Sequence, residues 1–350
     1  FTYYKTDSRN QILKLATTAA SGYTSQVRNA GHIRNRGYEI QLGAVPIQTS
    51  KGFRWNLDLN YGANSSKVVK LDDEGLITSY QLYSSGIQIL ASVGEAYGTL
   101  FGTSYVRDAN GNVVVDANGL PKISTTNKTL GKFTPDWTGG ISNTFSYRSL
   151  SLSFLIDASV GGSIFSNTNK TGKYTGVLAN TLSGRDAEHG GLWYYTDAMG
   201  NNVRLSESPS YSVSSDGLYY AQVNGQSTRV YQDGIMVEGV TESGSKNEEV
   251  VSAEKYYHRI YSIAEANVYD ASYVKLREVA LSYRLPRLWT QKLHLQEASV
   301  TLTGRNLWTI YKSVPNIDPE SALTTGNAQG VEAYSLPTTR SFGVNLSVKF

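Results

Sequence analysis

The sequence predicts an all-β fold: part of a transmembrane antiparallel β-barrel, about ten strands with long outer loops. Three observations carry this. In the last stretch, Phe342, Val344, Leu346, Val348 and Phe350 alternate with Ser341, Gly343, Asn345, Ser347 and Lys349. Strand side chains alternate with period two, so one face is apolar and the other polar or small. In Phe53 to Asn64, Phe53, Trp55, Leu57, Leu59, Tyr61 and Ala63 share a face against Arg54, Asn56, Asp58, Asn60, Gly62 and Asn64. Its aromatics sit at both ends with aliphatics between, as in the two interfacial girdles of a membrane barrel. Third, short turns after about 45, 94, 148 and 285 alternate with long loops after about 6, 64, 107, 160 and 308, the periplasmic and outer connections of such a barrel.

A strand of about ten residues, rising ~3.3 Å each and tilted ~40°, climbs roughly 25 Å, the height of the apolar band. The expected elements, in order, are as follows. Phe1 to Thr6 ends a strand, and residues 7 to 31 read as polar and irregular. Ile33 to Val45 alternates loosely, and Pro46 to Gly52 turns the chain into Phe53 to Asn64. Gly86 to Val93 and Tyr97 to Arg107 read as weaker wall strands. Two Asn-Gly steps flank Val113-Val114-Val115, a small hairpin excursion. Trp137 to Arg148 and Leu150 to Val160 follow with almost no connection. Residues 161 to 270 lack sustained alternation and form one large loop on the outer rim. In Tyr273 to Arg284 the apolar face switches between Leu276 and Val279, and a bulge near Arg277-Glu278 would restore it. Ala298 to Trp308 and the terminal strand close the series. Trp308 and Tyr61 then fall at the outer interface, and Phe53, Tyr147, Tyr283 and Phe350 at the inner one.

Composition narrows the function. The 350 residues carry 17% charged side chains, 25 Tyr, 33 Gly and no Cys. Disulfide staples and Cys-based metal sites are therefore excluded. The net charge of +3 is small and its cations scattered, so no nucleic-acid partner is implied. No apolar run reaches the roughly eighteen residues of a membrane helix, which leaves strands as the way to cross a bilayer. No G-x-S-x-G, H-E-x-x-H or nucleophilic Cys is present, so no enzymatic activity and no cofactor is expected. The start at Phe1 points to a carboxy-terminal piece of a longer protein.

Several segments also carry a resemblance. Asn35-Arg36-Gly37-Tyr38-Glu39, Pro135-Asp136-Trp137-Thr138-Gly139-Gly140 with Tyr147-Arg148, Ala271-Ser272-Tyr273-Val274-Lys275-Leu276-Arg277-Glu278-Val279, Gly304-Arg305-Asn306-Leu307-Trp308 and Asp318-Pro319-Glu320 occur in this order. Together they resemble the motifs of SusC/RagA-like TonB-dependent outer-membrane transporters, across nearly the whole chain. The resemblance implies a barrel of about 22 strands around an amino-terminal plug, of which residues 1–350 would be the carboxy-terminal portion. It implies import of a glycan or peptide through the bacterial outer membrane, driven by TonB through the missing part. It also implies a SusD-like surface lipoprotein as lid, and a dimer of transporter–lipoprotein pairs. Neither plug nor TonB box is in this sequence. The amino-terminal barrel and plug would then pair with both free sheet edges, and membrane lipid would meet the apolar stripes.

Candidate functional residues divide by location. Trp193, Tyr194 and Tyr195, with Tyr219 and Tyr220, could stack on a sugar or peptide, contact the lid, or form the core of the long loop, which is the favoured reading. Asp58 and Asp157 could line the lumen; salt bridges to arginines such as Arg54 or Arg305 are the favoured account. Asp108, Asn110 and Asn112 begin like a calcium loop, but Val113 stands where the sharp-turn glycine belongs, and Asn-Gly turns explain them better. His189 is in no zinc spacing. Gly304 marks a bend or close contact, Arg305 pairs with acids, and Phe350 would serve barrel assembly. The alternative function is a surface-attached β-rich carbohydrate-binding module or adhesin, and a third is a β-rich hydrolase.

Overall fold

The computed structural model describes residues 1–16, 22, 25–292 and 294–350. One eight-stranded antiparallel sheet forms a wall. Its strands are β1 (Thr2–Ala16), β2 (Ser25–Gln48), β3 (Phe53–Lys70), β4 (Trp137–Tyr147), β5 (Leu150–Val160), β6 (Tyr273–Arg284), β7 (Glu297–Lys312) and β8 (Ser341–Lys349). They lie side by side in chain order. Among the described residues, β1 and β8 each have one edge with no partner strand, so the sheet is open.

Eight strands, not ten, make the wall. Gly86–Val93 and Tyr97–Arg107 lie elsewhere: Gln88–Ser92 and Tyr97–Gly102 pair with each other and with Ser79–Ser84 and Lys128–Lys132 in a separate four-stranded sheet. Their segments are short and buried on both sides, as in a loop core, with Ile89 and Leu100 closed to solvent. Removing this pair leaves the alternation of short and long connections intact. The second correction concerns residues 7 to 31. β1 runs on to Ala16 and β2 starts at Ser25, while 17–21 and 23–24 lie outside the described residues. At ~3.3 Å per residue, the 24 residues of β2 span about 80 Å, well beyond a bilayer crossing. Beyond the apolar band a strand needs no apolar stripe, so this half of the hairpin lacks the alternation. Asp7 instead holds the pair together, accepting from Arg34 Nε at 2.8 Å and lying 2.6 Å from His32 Nε2.

The cross-strand register collects the apolar residues on one face. One row reads Trp55, Phe145, Leu152, Leu281, Leu302 and Val344 across six strands. The next reads Phe53, Tyr147, Leu150, Tyr283, Val300 and Leu346. Near the other end Tyr61, Ala158, Val274 and Tyr311 share a row. The bulge expected near Arg277-Glu278 is present: both neighbours of β6 shift register between Leu276 and Glu278. It returns Leu276 to the apolar face, opposite Ile156 and Trp308.

Among the described residues, no second layer covers this face. Tyr38, Leu42, Leu152, Leu302, Val344 and Leu346 are exposed, Leu346 to 63%. The largest fully buried side chains belong almost entirely to the loops, among them Phe165, Ile89, Leu100, Val230 and Val331. A soluble sheet would bury this apolar face against another layer.

Three long connections fold into one module built on a shared core. They run over residues 71–136, 161–272 and 313–340. Their shared core contains Ile87, Ile89 and Leu100 from the first, Phe165 and Ala264 from the second, and Val331 from the third. Ser163–Ser166 lies between Val268–Asp270 and Val331–Glu332, which ties the second and third together by backbone pairing. A six-stranded sheet over Leu192–Ser252 completes the module.

Candidate functional site

Two places gather polar side chains. The first is a clasp between the polar face of the wall and the third loop. Lys275 Nζ donates to Asp318 Oδ1 and Glu320 Oε2, both at 2.6 Å. Arg277 Nε donates to Asp157 Oδ2 at 2.7 Å, and its Nη2 also binds Glu320. Tyr273 Oη donates to Glu320 at 2.9 Å. The bulge at Arg277 places Arg277 beside Lys275 on one side, so the A-S-Y-V-K-L-R-E segment and Asp318-Pro319-Glu320 are halves of one contact. Asp157 is therefore paired with Arg277, not with Arg305. Arg305 pairs with Glu278 at 2.8 Å, and Arg54 donates to Asn56. Burial pushes the Asp318 carboxyl up, but the hydrogen bonds from Lys275 and Thr338 outweigh it and hold it below its usual range.

The second place is a cavity of about 710 Å³ inside the loop module. That is the size of a small-ligand pocket. Tyr105, Lys173, Asn180, Ser183, Glu238, Tyr256 and Tyr257 contribute its polar lining. A neighbouring cavity of about 510 Å³ shares Lys173 and Tyr257 and adds Arg185, Asp233 and His258.

Each lining side chain is held by an identifiable device. Lys173 is in the last turn of α1 (Asn167–Tyr174). Ser166 caps that helix by accepting from Asn169 N at 3.0 Å. The fully buried Glu332 carboxylate sits at the same end, accepting from Ser166 Oγ at 2.7 Å and Thr168 Oγ1 at 2.6 Å. A carboxylate at a helix N-terminus is favourable because the first N–H groups lack helical partners. Tyr256 and Tyr257 are on α2 (Ala253–Tyr261), which packs on α1 through stacked Tyr174 and His258 rings 4.1 Å apart. Tyr257 Oη donates to the Asn180 carbonyl at 3.0 Å. Tyr105 is fixed by its backbone N–H, which donates to Glu265 Oε2 at 3.0 Å. Arg107 to Glu265 and Arg259 to Asp116, each 2.9 Å, clamp this arm to the second loop. Burial pushes the Tyr105 and Tyr256 hydroxyls up and the Lys173 ammonium down to about 8.

The loop aromatics singled out from sequence line neither of these cavities. Trp193 and Tyr194 are buried in the six-stranded sheet. Trp193 packs against Tyr211 and Tyr219 at 5.1 and 5.8 Å, and Tyr194 stacks on Tyr231 at 5.0 Å. Tyr195 is half-buried against the same cluster. Sequence reasoning missed Lys173, Tyr105 and Tyr256, because no alternation or motif marks the loop strands and short helices that bring them together.

The remaining candidates have local roles. Asp108 accepts from Asn110 N, Asn112 N and Asn112 Nδ2 at 2.8 to 3.0 Å, which commits its carboxylate to the turn. Asp197 does the same for Met199 and Asn201 in the related Asp197-Ala198-Met199-Gly200-Asn201. His189 Nδ1 lies 2.7 Å from Asp186. Among the described residues, no group of three or more His, Cys, Asp or Glu is placed to hold a metal ion. Asp58 lies beside Gly43, on the polar face of β3. A Cβ on Gly304 would meet Leu307 at 2.9 Å, and Asn306 beside it has a φ of 52°, so Gly304 sits at an irregularity of β7.

With this geometry in hand, comparison with known proteins is informative. No protein-family model matches the chain. TonB-dependent receptor P3 of Formosa agariphila is 26% identical over 379 residues, covering 100% of this chain and 32% of that protein. TonB-dependent receptor P26 of the same organism is 24% identical, covering 99% and 32%. Among solved structures, the RagAB peptide importer in its closed-closed state superposes with a TM-score of 0.61 at 18% identity, covering 99% of this chain and 33% of that one. Over its whole length the chain is similar in sequence to TonB-dependent receptors, and its fold matches a portion of the RagAB importer. It spans about a third of the length of the relatives it matches.

Proposed function

We propose that this chain supplies barrel wall and outer loops to a transporter of the bacterial outer membrane. The transporter imports a large nutrient, an oligosaccharide or oligopeptide, with energy delivered through TonB. The observation that carries the reading is the uncovered apolar face of an eight-stranded sheet whose buried core lies in its loops. Lipid covers that face, and the polar face lines a passage. Unpaired backbone groups along two strand edges are not tolerated in hydrocarbon. The amino-terminal barrel and plug portion therefore pairs with the edges of β1 and β8. The module over 161–270, with the other two loops, is extracellular and meets a SusD-like lipoprotein lid. The RagAB likeness supports the pairing with a lipoprotein; transporter–lipoprotein pairs associating as dimers belong to the same proposal. No step of chemistry on the cargo is involved.

The test uses the full-length protein. Outer-membrane fractionation and gel mobility with and without boiling in mild detergent come first, because a membrane barrel stays folded in detergent. Uptake of oligopeptide and oligosaccharide pools is then compared in cells with and without TonB. Heat-modifiable mobility together with TonB-dependent uptake supports the reading. A soluble protein with a single gel mobility overturns it and favours the surface carbohydrate-binding or adhesin alternative.

A further inference from the structure

We infer that the 710 Å³ loop cavity is a subsite for a carboxylate carried by the cargo, with the Lys173 ammonium as its anchor. This rests on the import reading above and names the chemistry one part of the passage recognises.

Three observations lead to it. Lys173 is only 8% exposed, yet among the described residues no carboxylate lies within 4.0 Å of its Nζ. Its recorded partners are neutral: the Ala266 carbonyl at 2.8 Å and Asn267 Oδ1 at 3.2 Å. An ammonium has three N–H donors, so one remains. Buried cations are ordinarily paired, because desolvating an unpaired charge is costly. Here the protein places the cation at the wall of a cavity and supplies no counter-ion.

The second observation is the company it keeps. Tyr269 lies beside the amine, its ring centroid 5.3 Å from Nζ. Its hydroxyl is the one buried side-chain polar atom without a hydrogen-bond partner among the described residues. Tyr269 is not itself a lining residue of the cavity, so its ring shields the amine from the far side and the amine is the group the cavity presents. The third is the lining. Tyr105 and Tyr256 bring hydroxyl donors to the cavity, and Glu238 is its sole acidic residue among those described. A cation with tyrosine hydroxyls suits a carboxylate, which accepts several hydrogen bonds and gains most from a charged donor. Asn180, Ser183 and Glu238 add acceptors to the lining, so it is the ammonium without a counter-ion that favours an anion over a neutral sugar.

Two cargo classes carry such a group: the carboxy-terminus of an oligopeptide and a uronic-acid unit of an oligosaccharide. Binding to purified full-length transporter in detergent, measured by calorimetry, separates them. The probes are trialanine with a free or an amidated carboxy-terminus, and trigalacturonate as free acid or methyl ester. In one arm or the other, the free acid is expected to bind about tenfold or more tightly than its capped form. Lys173→Met should abolish that preference and Lys173→Arg should retain most of it, with heat-modifiable mobility unchanged in both. Preference confined to the peptide arm assigns a peptide carboxylate, and to the sugar arm a uronate. Equal binding of free and capped forms in both arms, absence of binding in both arms, or a preference that survives Lys173→Met, overturns the inference. TonB-dependent uptake in cells is scored separately, so the import reading can stand when this subsite does not.

Discussion

Lys275 on β6 and Asp318, 43 positions later in the third loop, meet at 2.6 Å with both side chains almost closed to solvent. The pair fastens a loop to the wall from the polar side. Removing one partner of a buried ion pair leaves the other charge uncompensated, which costs about 3–5 kcal/mol. Lys275→Met should therefore release residues 313–340 to protease in the folded full-length protein and lower the temperature of its heat-induced mobility change. Lys275→Met combined with Asp318→Asn should recover part of the loss. A loop that stays protected in the single variant would show that the clasp does not hold it.

The same clasp has a pH signature. The carboxyls of Asp318 and Glu320 are both held below their usual range: burial pushes each up, and hydrogen bonds from Lys275 and its neighbours more than offset this. A group whose folded pKa is depressed stabilises above its unfolded value and loses that contribution as pH falls through the folded one. The third loop should thus be equally protected at pH 7 and pH 5 and become protease-sensitive only below the ordinary carboxylate range, near pH 4. Pepsin cleavage of 313–340, followed across acidic pH, reads this directly. Release at pH 6 would assign the loop's anchoring to some other group.

Gly37 explains the N-x-G-x-E segment physically. Tyr4 stands directly across from it in the β1–β2 pair, and the Tyr4 hydroxyl donates to Asn64 on β3 at 3.3 Å. The ring fills the space that the missing side chain leaves, and a Cβ there would collide with Tyr4 and the Ala63 carbonyl oxygen. Glycine in a strand normally weakens it, and an aromatic partner across the pair offsets that. Gly37→Ala should destabilise by about 1–3 kcal/mol, as overpacking does. Adding Tyr4→Ala should relieve the part of the collision that involves the ring, leaving that with the Ala63 carbonyl. Heat-induced mobility curves for the single and double variants decide it, and additive losses would rule out the contact as the cause.

Leu57 tests the lipid face. It lies opposite Ala44 and Asn143, midway between the aromatic ends Phe53 and Tyr61 of β3. Arginine at the midplane of a lipid-facing strand costs about 2–4 kcal/mol. Leu57→Arg should lower the outer-membrane level of the full protein, whereas Asn60→Arg on the opposite face should change it little. Equal effects at both positions would contradict the assignment of faces.

The wall was legible where its chemistry repeats. Alternation located β3, β5 and β8, and the phase break between Leu276 and Val279 located the bulge, because one continuous apolar face demands an apolar residue at every second position. Legibility stopped where that demand stops. The polar extension of the β1–β2 hairpin has no stripe to read, and the Gln88–Ser92 and Tyr97–Gly102 strands have a loop core on both sides, so they resembled weak wall strands. Cavity residues left no mark at all: Lys173 and Tyr256 meet through the packing of α1 on α2, and Tyr105 is brought to them from another segment by Glu265. Pairings were legible by type and not by partner. A lumen acid with an arginine was the right kind of contact for Asp157, but the bulge, which no strand pattern positions to that detail, selected Arg277 over Arg305.

One polar residue on the apolar face makes a final prediction. Asn143 is buried between Leu57 and Phe154, and its Oδ1 accepts from the Trp55 indole N–H at 3.0 Å. In lipid no water can replace that acceptor. Asn143→Leu therefore makes the face more apolar yet should destabilise the barrel, by about 1–3 kcal/mol, the cost of leaving a buried donor unsatisfied. Replacing the donor as well, in Trp55→Phe with Asn143→Leu, removes both members of the pair and should restore most of the loss. The heat-induced mobility change of the three variants measures the coupling. A single Asn143→Leu that is as stable as the parent would mean that the indole N–H has water or a headgroup within reach, and would move the Trp55 row out of the hydrocarbon into the interface.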